Sequence, residues 1–271
     1  MKLPGKTALV TGASRGIGRA IAIELARSGL KRLLLVARNE SKLADVAADI
    51  EAMGVEVVIF PLDITQTVAV NTMITQVWRQ YGTIDLLVNC AGVAHQTSFL
   101  HAKLSEIQGE LSLNLMATYQ ITRLVARRMA IQKQGTIVNV SSLMGKIAAP
   151  TMATYSATKF ALLGFTQALR GELAPYNIRV VGLLPSLTDT DMVKGLDLFR
   201  FMKPVSPKIV AQTLVKGLEK DTPEILVGWQ SHLAIWCQRL VPGLIEQITI
   251  MAAPLSRKRR SPRLRRVELT S

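Results

Sequence analysis

Tyr155 and Lys159, four residues apart in Tyr155-Ser156-Ala157-Thr158-Lys159, are the pair in this sequence best suited to moving a proton. The stretch from about 152 to Ala174 carries helical spacing, so positions i and i+4 share a face. A free tyrosine has a pKa of ~10 and is a poor base at neutrality. An ammonium within a few Å lowers it by about one to three units, toward the range useful for general acid–base work. Tyr155 is therefore expected to transfer a proton and Lys159 to tune it. The plainer alternative is a surface helix pair.

A second segment could hold the reagent for such chemistry. Thr11-Gly12-Ala13-Ser14-Arg15-Gly16-Ile17-Gly18 joins an apolar run to a helical one. Glycines allow a tight turn and close backbone approach, and the next helix offers free N–H groups and a positive dipole end to a pyrophosphate. The spacing is GxxxGxG. Arg19-Ala20 follows, where a P-loop would have Lys-Ser/Thr. An NAD site usually places an acid about 20 residues on, against the ribose 2′-hydroxyl. Here the second strand ends Val36-Ala37-Arg38, with no carboxylate. Arg15 and Arg38 suit a 2′-phosphate, so NADP is expected over NAD.

These residues need a scaffold, and the periodicity supplies one. Apolar runs at Lys6–Gly12, Arg32–Ala37, Val55–Phe60, Ile84–Asn89, Gly135–Ser141, Ile178–Leu183 and Glu224–Val227 read as strands. Helical stretches fall between them: Ile17–Gly29, Ser41–Met53, about 66–81, a long one near 104–131, and about 152–174. Ser206-Pro207 looks like a capped helix start. Continuous apolar strands alternating with helices specify an α/β fold, a doubly wound parallel sheet with helices on both faces. Residues 1–228 are expected to form one Rossmann-type catalytic domain, and 229–271 an apolar extension with a basic tail.

Asn89-Cys90-Ala91-Gly92, Ser141-Ser142 and the Tyr155–Lys159 segment, with the glycine turn, resemble the short-chain dehydrogenase/reductase family over about residues 5–227. The resemblance implies that Ser142 hydrogen-bonds the substrate oxygen, that Tyr155 gives or takes the proton, and that Lys159 holds the nicotinamide ribose. It implies that Asn114 supports a water relay. Around the cofactor it implies contacts from Gly12, Ser14, Arg15, Gly16, Ile17, Gly18, Arg38, Asp63 at adenine, Asn89, Ala91 and Gly92 on the adenosine side (these three also stabilising the central sheet), Tyr155, Lys159, and Pro185 and Thr190 over the nicotinamide amide. Such a site would interconvert a ketone and a secondary alcohol, with a serine hydroxyl stabilising the developing oxyanion. The alternative is a non-catalytic NADP-binding regulator on the same fold. Two positions depart from the family. Cys90 stands where a second asparagine is common, and Ser186 where glycine usually follows the proline, so a Cβ there could shift the nicotinamide loop.

Substrate contacts are expected from Ser142, Leu143, Met144 and Met192, and from the apolar loop 186–206, which includes Leu196, Phe199, Phe201 and Met202. They point to a hydrophobic, lipid-like carbonyl substrate, or else simply pack on the fold. The chain has 271 residues, 49% of them hydrophobic, which excludes disorder of the whole. Two distant cysteines and three histidines make no disulfide framework and no metal spacing, so a reducing, cytoplasmic setting is expected. A strand beginning by Thr7 leaves no room for a signal peptide. The net charge is +14, and seven basic residues fall within Arg257–Arg266. Trp229–Leu255 is apolar and divided at Pro242-Gly243. It is too short and broken to span a bilayer. Residues 229–266 are expected to contact the cytoplasmic face of a membrane, with two alternatives: packing at a homodimer or homotetramer interface, or a solvated basic arm. Nucleic acid is not expected, since no aromatic interleaving or reader motif accompanies the charge.

Overall fold

The computed structural model describes residues 1–200 and 203–254. Seven strands form one parallel sheet: β1 (Thr7–Thr11), β2 (Arg32–Ala37), β3 (Glu56–Pro61), β4 (Leu86–Asn89), β5 (Gly135–Val140), β6 (Ile178–Leu184) and β7 (Glu224–Leu226). Their spatial order is β3-β2-β1-β4-β5-β6-β7. The order reverses between β1 and β4, which pair through Ala8–Leu86, Leu9–Leu87 and Val10–Val88. A doubly wound sheet opens a crevice at that reversal, beyond the carboxyl ends of its strands.

The strands bury both faces, as their unbroken apolar runs require. Ala8, Val10, Leu33, Leu35, Leu86 and Val88 join one core cluster. There they meet residues of α1 (Gly16–Arg27), α2 (Glu40–Glu51) and α7 (Pro207–Glu219). Leu9, Leu34, Val36, Leu87 and Ile137 face the opposite way, toward α3 (Thr67–Gln80) and α5 (Thr118–Gln132). The long α6 (Ala153–Leu173) lies on this second side. Neighbours in sequence alternate between the two cores, as the period of a pleated strand dictates. Each fully buried leucine contributes roughly 2 kcal/mol.

The helix expected near 104–131 is not uniform. It runs as α4 (Leu104–Glu110), a wide π-helical turn over Leu111–Ala117, and α5. Asn114 sits in that turn, fully buried. Its Nδ2 donates to the Val93 carbonyl and its Oδ1 accepts the Val93 N–H, both at 2.9 Å. A side chain bonded across to another segment is a common cause of such a widened turn, and these turns concentrate at functional sites.

After β7 the chain forms a helical hairpin of α8 (Trp229–Leu240) and α9 (Pro242–Ala252), split where Pro242 takes the first position of the second helix. The end of the hairpin returns to the body, where the Arg200 N–H donates to the Ala252 carbonyl at 2.9 Å. Among the described residues, no helix is long and apolar enough to cross a membrane.

Candidate active site

The cleft begins at the glycine turn. Gly12 has φ +68°, and a Cβ there would stand 2.9 Å from the Ala91 Cα. At Gly18 a Cβ would run into the Gly12 carbonyl oxygen, so α1 can press against the turn only as glycine. The Thr11 Oγ1 accepts the N–H groups of Cys90 and Ala91 at 3.0 and 3.1 Å, tying the turn after β1 to the turn after β4. Both bonds come from backbone, so cysteine serves at 90 without loss. Burial pushes the Cys90 thiol up to about 12, which keeps it protonated and inert. No side chain caps the start of α1, so its N–H groups remain available to an anion.

A cleft of about 990 Å³ runs from this turn to Tyr155 and Lys159. Ser14, Arg15, Gly16, Ile17, Arg38, Asp63, Ala91, Gly92, Thr190 and Met192 line it. The Arg15 guanidinium lies 3.9 Å from Asp191, and that of Arg38 lies 4.0 Å from Asp63. Both are largely exposed, so these pairs leave most of their hydrogen-bonding capacity open. Asp63 is fixed by accepting the Thr65 N–H and hydroxyl at 2.9 and 2.8 Å. Asn39 and Lys42 also line this end, and sequence reading passed over them. The available signal was Asn39 as a helix cap: its Oδ1 accepts the Lys42 N–H at 2.8 Å and brings the start of α2 to the cleft wall. The glycine cradle, the open helix start and three basic side chains suit a dinucleotide that carries an extra phosphate.

At the other end stand Ser142, Tyr155 and Lys159. The Ser142 Oγ accepts the Met144 N–H at 3.0 Å, which fixes the hydroxyl beside Tyr155. The Lys159 Nζ donates to the Val140 carbonyl at 3.0 Å and lies 5.5 Å from the centre of the Tyr155 ring. Asn114 reaches the same helix through Thr158 Oγ1 at 3.2 Å. The sequence expectation that Lys159 lowers the tyrosine pKa does not hold for this arrangement. Removal of the phenol from water pushes Tyr155 up to about 12, Ser142 offsets part of this, and Glu110 and Cys90 add to it. The hydrogen bond of the ammonium goes to the Val140 carbonyl, and no bond to the Tyr155 hydroxyl is formed. Burial in turn brings Lys159 down to about 8.

Tyr155 also meets an apolar cluster. Ala149, Met152, Phe199, Ala252 and Ala253 form a small cluster, with Ala94, Met144, Tyr155 and Leu196 packed against it. Met144 and Tyr155 both pack against this cluster, and Met192 lines the cleft. Leu143 instead donates its N–H to the Pro185 carbonyl at 2.9 Å and helps close the turn around Ser142. Phe201 and Met202, and the basic run 257–266, lie outside the described residues. Ala252 and Ala253, from the end of the hairpin, were not foreseen as part of this cluster. Their packing joins two segments a hundred residues apart, and no local pattern reports it.

Other assignments change. Asn89 was expected both to line the cofactor's adenosine side and to stabilise the central sheet; it is buried in the sheet, where its Nδ2 donates to Thr122 Oγ1 and Asn139 Oδ1, both at 2.8 Å. Asn139 passes the chain on to Thr166 Oγ1 at 2.9 Å. Asn89 therefore ties β4 to β5 and α5 and is absent from the lining of the cleft. Pro185 takes no part in the lining either and acts through its carbonyl on Leu143. Ser186 is not among the positive-φ residues of the described chain, so the expected backbone restriction does not arise. Among the described residues no group of His, Cys, Asp or Glu is placed to hold a metal.

A family model described as short chain dehydrogenase matches residues 6–199. A 3-oxoacyl-[acyl-carrier-protein] reductase of Synechocystis sp. is 36% identical over 195 residues, covering 72% of this chain and 79% of its own. A 3-ketodihydrosphingosine reductase of Mus musculus is 35% identical over 218 residues, covering 79% of this chain and 64% of its own. Among solved structures, a short chain dehydrogenase of Burkholderia cenocepacia in complex with NADP superposes with a TM-score of 0.81 at 26% identity, over 92% of this chain and 99% of that one. The sheet order, the glycine cradle and the Ser142, Tyr155 and Lys159 grouping accord with these matches, and the chain belongs to the short-chain dehydrogenase/reductase family of oxidoreductases.

Proposed function

We propose that this chain is an NADPH-dependent reductase that converts a hydrophobic, lipid-like ketone into a secondary alcohol. The observation that carries the reading is the pairing of the Ser142 and Tyr155 hydroxyls at the end of the cleft, with Tyr155 packed against an apolar cluster that includes Met144, Met152, Leu196 and Phe199. NADP(H) is the cofactor. Gly12 and Gly18 admit its pyrophosphate, Arg15, Arg38 and Lys42 meet the 2′-phosphate, and Lys159 holds the nicotinamide ribose. When bound, its nicotinamide supplies the hydride. Ser142 Oγ holds the substrate oxygen, and Tyr155 donates its proton to that oxygen as charge develops there. The relatives named for reduction of 3-oxoacyl and 3-ketodihydrosphingosine substrates support this class of ketone.

The test is NADPH and NADH oxidation by the purified chain against ketones of graded alkyl length. Expected is turnover with NADPH that improves with chain length. Tyr155→Phe should lower it by roughly 10² to 10⁴ while NADPH binding, read by fluorescence, persists. Tight NADPH binding without turnover on any ketone would overturn the reductase reading in favour of a regulator.

Peripheral membrane contact is a second part of the proposal, supported by the hairpin. Trp229, Leu233, Trp236, Leu240, Leu244, Ile248 and Met251 recur at helical spacing, and all are exposed, Trp229 by 72%. Seven basic residues follow in sequence at 257–266. Aromatic and aliphatic side chains beside a basic run suit an anionic, cytoplasmic lipid surface. The division into a catalytic unit over 1–228 and an extension from 229 belongs to the same proposal. So does a homo-oligomer, supported by the exposed Met116, Tyr119 and Phe160.

A further inference from the structure

The segment that follows β4 is tied to the body at alternate residues. Asn114 holds Val93 through both of its backbone groups, each at 2.9 Å. The His95 N–H donates to the buried Glu110 carboxyl, and the Thr97 N–H donates to the Thr151 carbonyl at 2.9 Å. The residues between them have other partners. Ala94 packs against the apolar cluster that also takes Tyr155. Gln96 reaches the loop after β6: its Nε2 donates to the Asp197 carbonyl at 3.0 Å and its Oε1 accepts the Asp197 N–H at 2.7 Å. One primary amide thus satisfies both backbone groups of a residue 101 positions away.

That loop has few other ties. At its base Thr188 pairs with Val205, which bonds Leu187 and Asp189 at 2.9 Å. Farther out, the Arg200 N–H donates to the Ala252 carbonyl at 2.9 Å. Among the described residues, the two Gln96 bonds and this one are the hydrogen bonds that join 190–200 to other parts of the chain. Near Asp197, Leu196 and Phe199 lie at the cluster where Met144 and Tyr155 also pack. Phe199 is 8% exposed, whereas Leu198 beside it is 50% exposed. Apolar contact is non-directional and would accept either of these neighbours. Two directional bonds to one residue fix which of them faces inward.

We propose that Gln96 is a positioning residue for the substrate: by clamping Asp197 it seats Leu196 and Phe199 beside Tyr155, and so sets how firmly the site holds the apolar part of a ketone. The inference rests on the reductase reading. Gln96 itself touches neither Tyr155 nor the cofactor cleft and acts through the loop. Its own segment is suited to the task, because Asn114, Glu110 and the Thr151 carbonyl leave Val93, His95 and Thr97 little freedom, and the clamp therefore transmits a fixed position. The amide is essential to it. Leucine in its place keeps the bulk and loses both bonds. Glutamate keeps the length but turns a second acceptor toward the Asp197 carbonyl.

The experiment compares the full wild-type chain with Gln96→Leu and Gln96→Glu by two readouts. The first is limited trypsin digestion of the folded protein, followed by mass spectrometry. Lys194, with its side chain 71% exposed, and Arg200 flank the clamp. Cleavage after them should be roughly tenfold faster in both variants, with other sites of the catalytic unit cut as in the wild type. The second is NADPH-driven reduction of ketones of graded alkyl length. KM for a long-chain ketone should rise roughly tenfold while kcat and KM for NADPH stay within about twofold, and the rise should shrink as the chain shortens. A loss of general stability would not follow ketone length in this way. Cleavage after Lys194 and Arg200 at the wild-type rate would overturn the clamp. Faster cleavage with an unchanged KM along the series would overturn the positioning role. Absence of wild-type turnover on every ketone would overturn the reductase reading and the role toward substrate with it, while the cleavage rates would still decide the clamp.

Discussion

At the scale of residues, the site stands on two buried groups moved in opposite directions. With Tyr155 pushed up to about 12 and Lys159 brought down to about 8, the phenol stays protonated well into the alkaline range while the ammonium loses its proton from about pH 8 upward. Reduction needs both protons. Its rate should therefore be flat below about pH 8 and fall, by about tenfold per pH unit, as Lys159 loses its proton above that point. A pH profile of kcat at saturating NADPH checks this, and a rate that climbs from pH 7 to 9 would contradict it. Arg38 makes a separate prediction. Its exposed guanidinium faces the adenosine end of the cleft with Arg15 and Lys42. On the proposed placement of the cofactor, Arg38→Asp removes a charge-assisted contact to the 2′-phosphate and supplies an acceptor for a 2′-hydroxyl. NADPH affinity should fall roughly 10- to 100-fold while NADH affinity improves, as measured by fluorescence titration.

At the scale of elements, the turns carry the function and the strands carry the turns. Gly18→Ala puts a methyl against the Gly12 carbonyl oxygen, and nothing flexible lies there to yield. The expected loss is about 1–3 kcal/mol of stability, with weaker NADPH binding, read from thermal melts with and without cofactor. The sequence made the strands legible because each is a short apolar run, and it made the glycine turn and the Tyr155 helix legible because their spacing is local. The π-helical turn at Asn114 was not legible. Its cause is a pair of hydrogen bonds to Val93, twenty-one residues away, and the apolar periodicity of 104–131 runs through it unbroken. Asn89 misled for a related reason. Ala91 and Gly92 line the cleft from the turn beyond β4, whereas Asn89 is the last residue of the strand and is held in the sheet by Thr122 and Asn139. The sign of the Tyr155 shift was missed because charge proximity can be guessed from i and i+4, whereas loss of hydration cannot.

At the scale of the molecule, the hairpin links an exposed apolar surface to the buried cluster against which Tyr155 packs. Trp236 and Leu240 lie on its outer side, 68% and 65% exposed, while Ala252 and Ala253 pack in the cluster that includes Tyr155. Vesicles containing anionic lipid should co-sediment with the chain, and less so as salt is raised. Trp236→Asp with Leu240→Asp should abolish the co-sedimentation while leaving NADPH affinity intact. Equal partitioning of the wild type and the double variant would set the membrane reading aside.

The tie between Thr11 and the N–H groups of Cys90 and Ala91 also bears on how the chain is made. The partners are separated by almost eighty residues, and β4 is the strand that β1 must await to complete its pairing. During synthesis the glycine turn therefore emerges long before the backbone that shapes it. Until β4 has left the ribosome, the early βαβ unit has an open edge and an unfinished nucleotide pocket, and it is exposed to chaperones and proteases. Cofactor can stabilise only a chain that has passed this point, and by mass action it then favours the folded over the unfolded population. The ordering of this fold thus makes the cofactor a late partner in biogenesis, one that secures a nearly finished protein and takes no part in starting it.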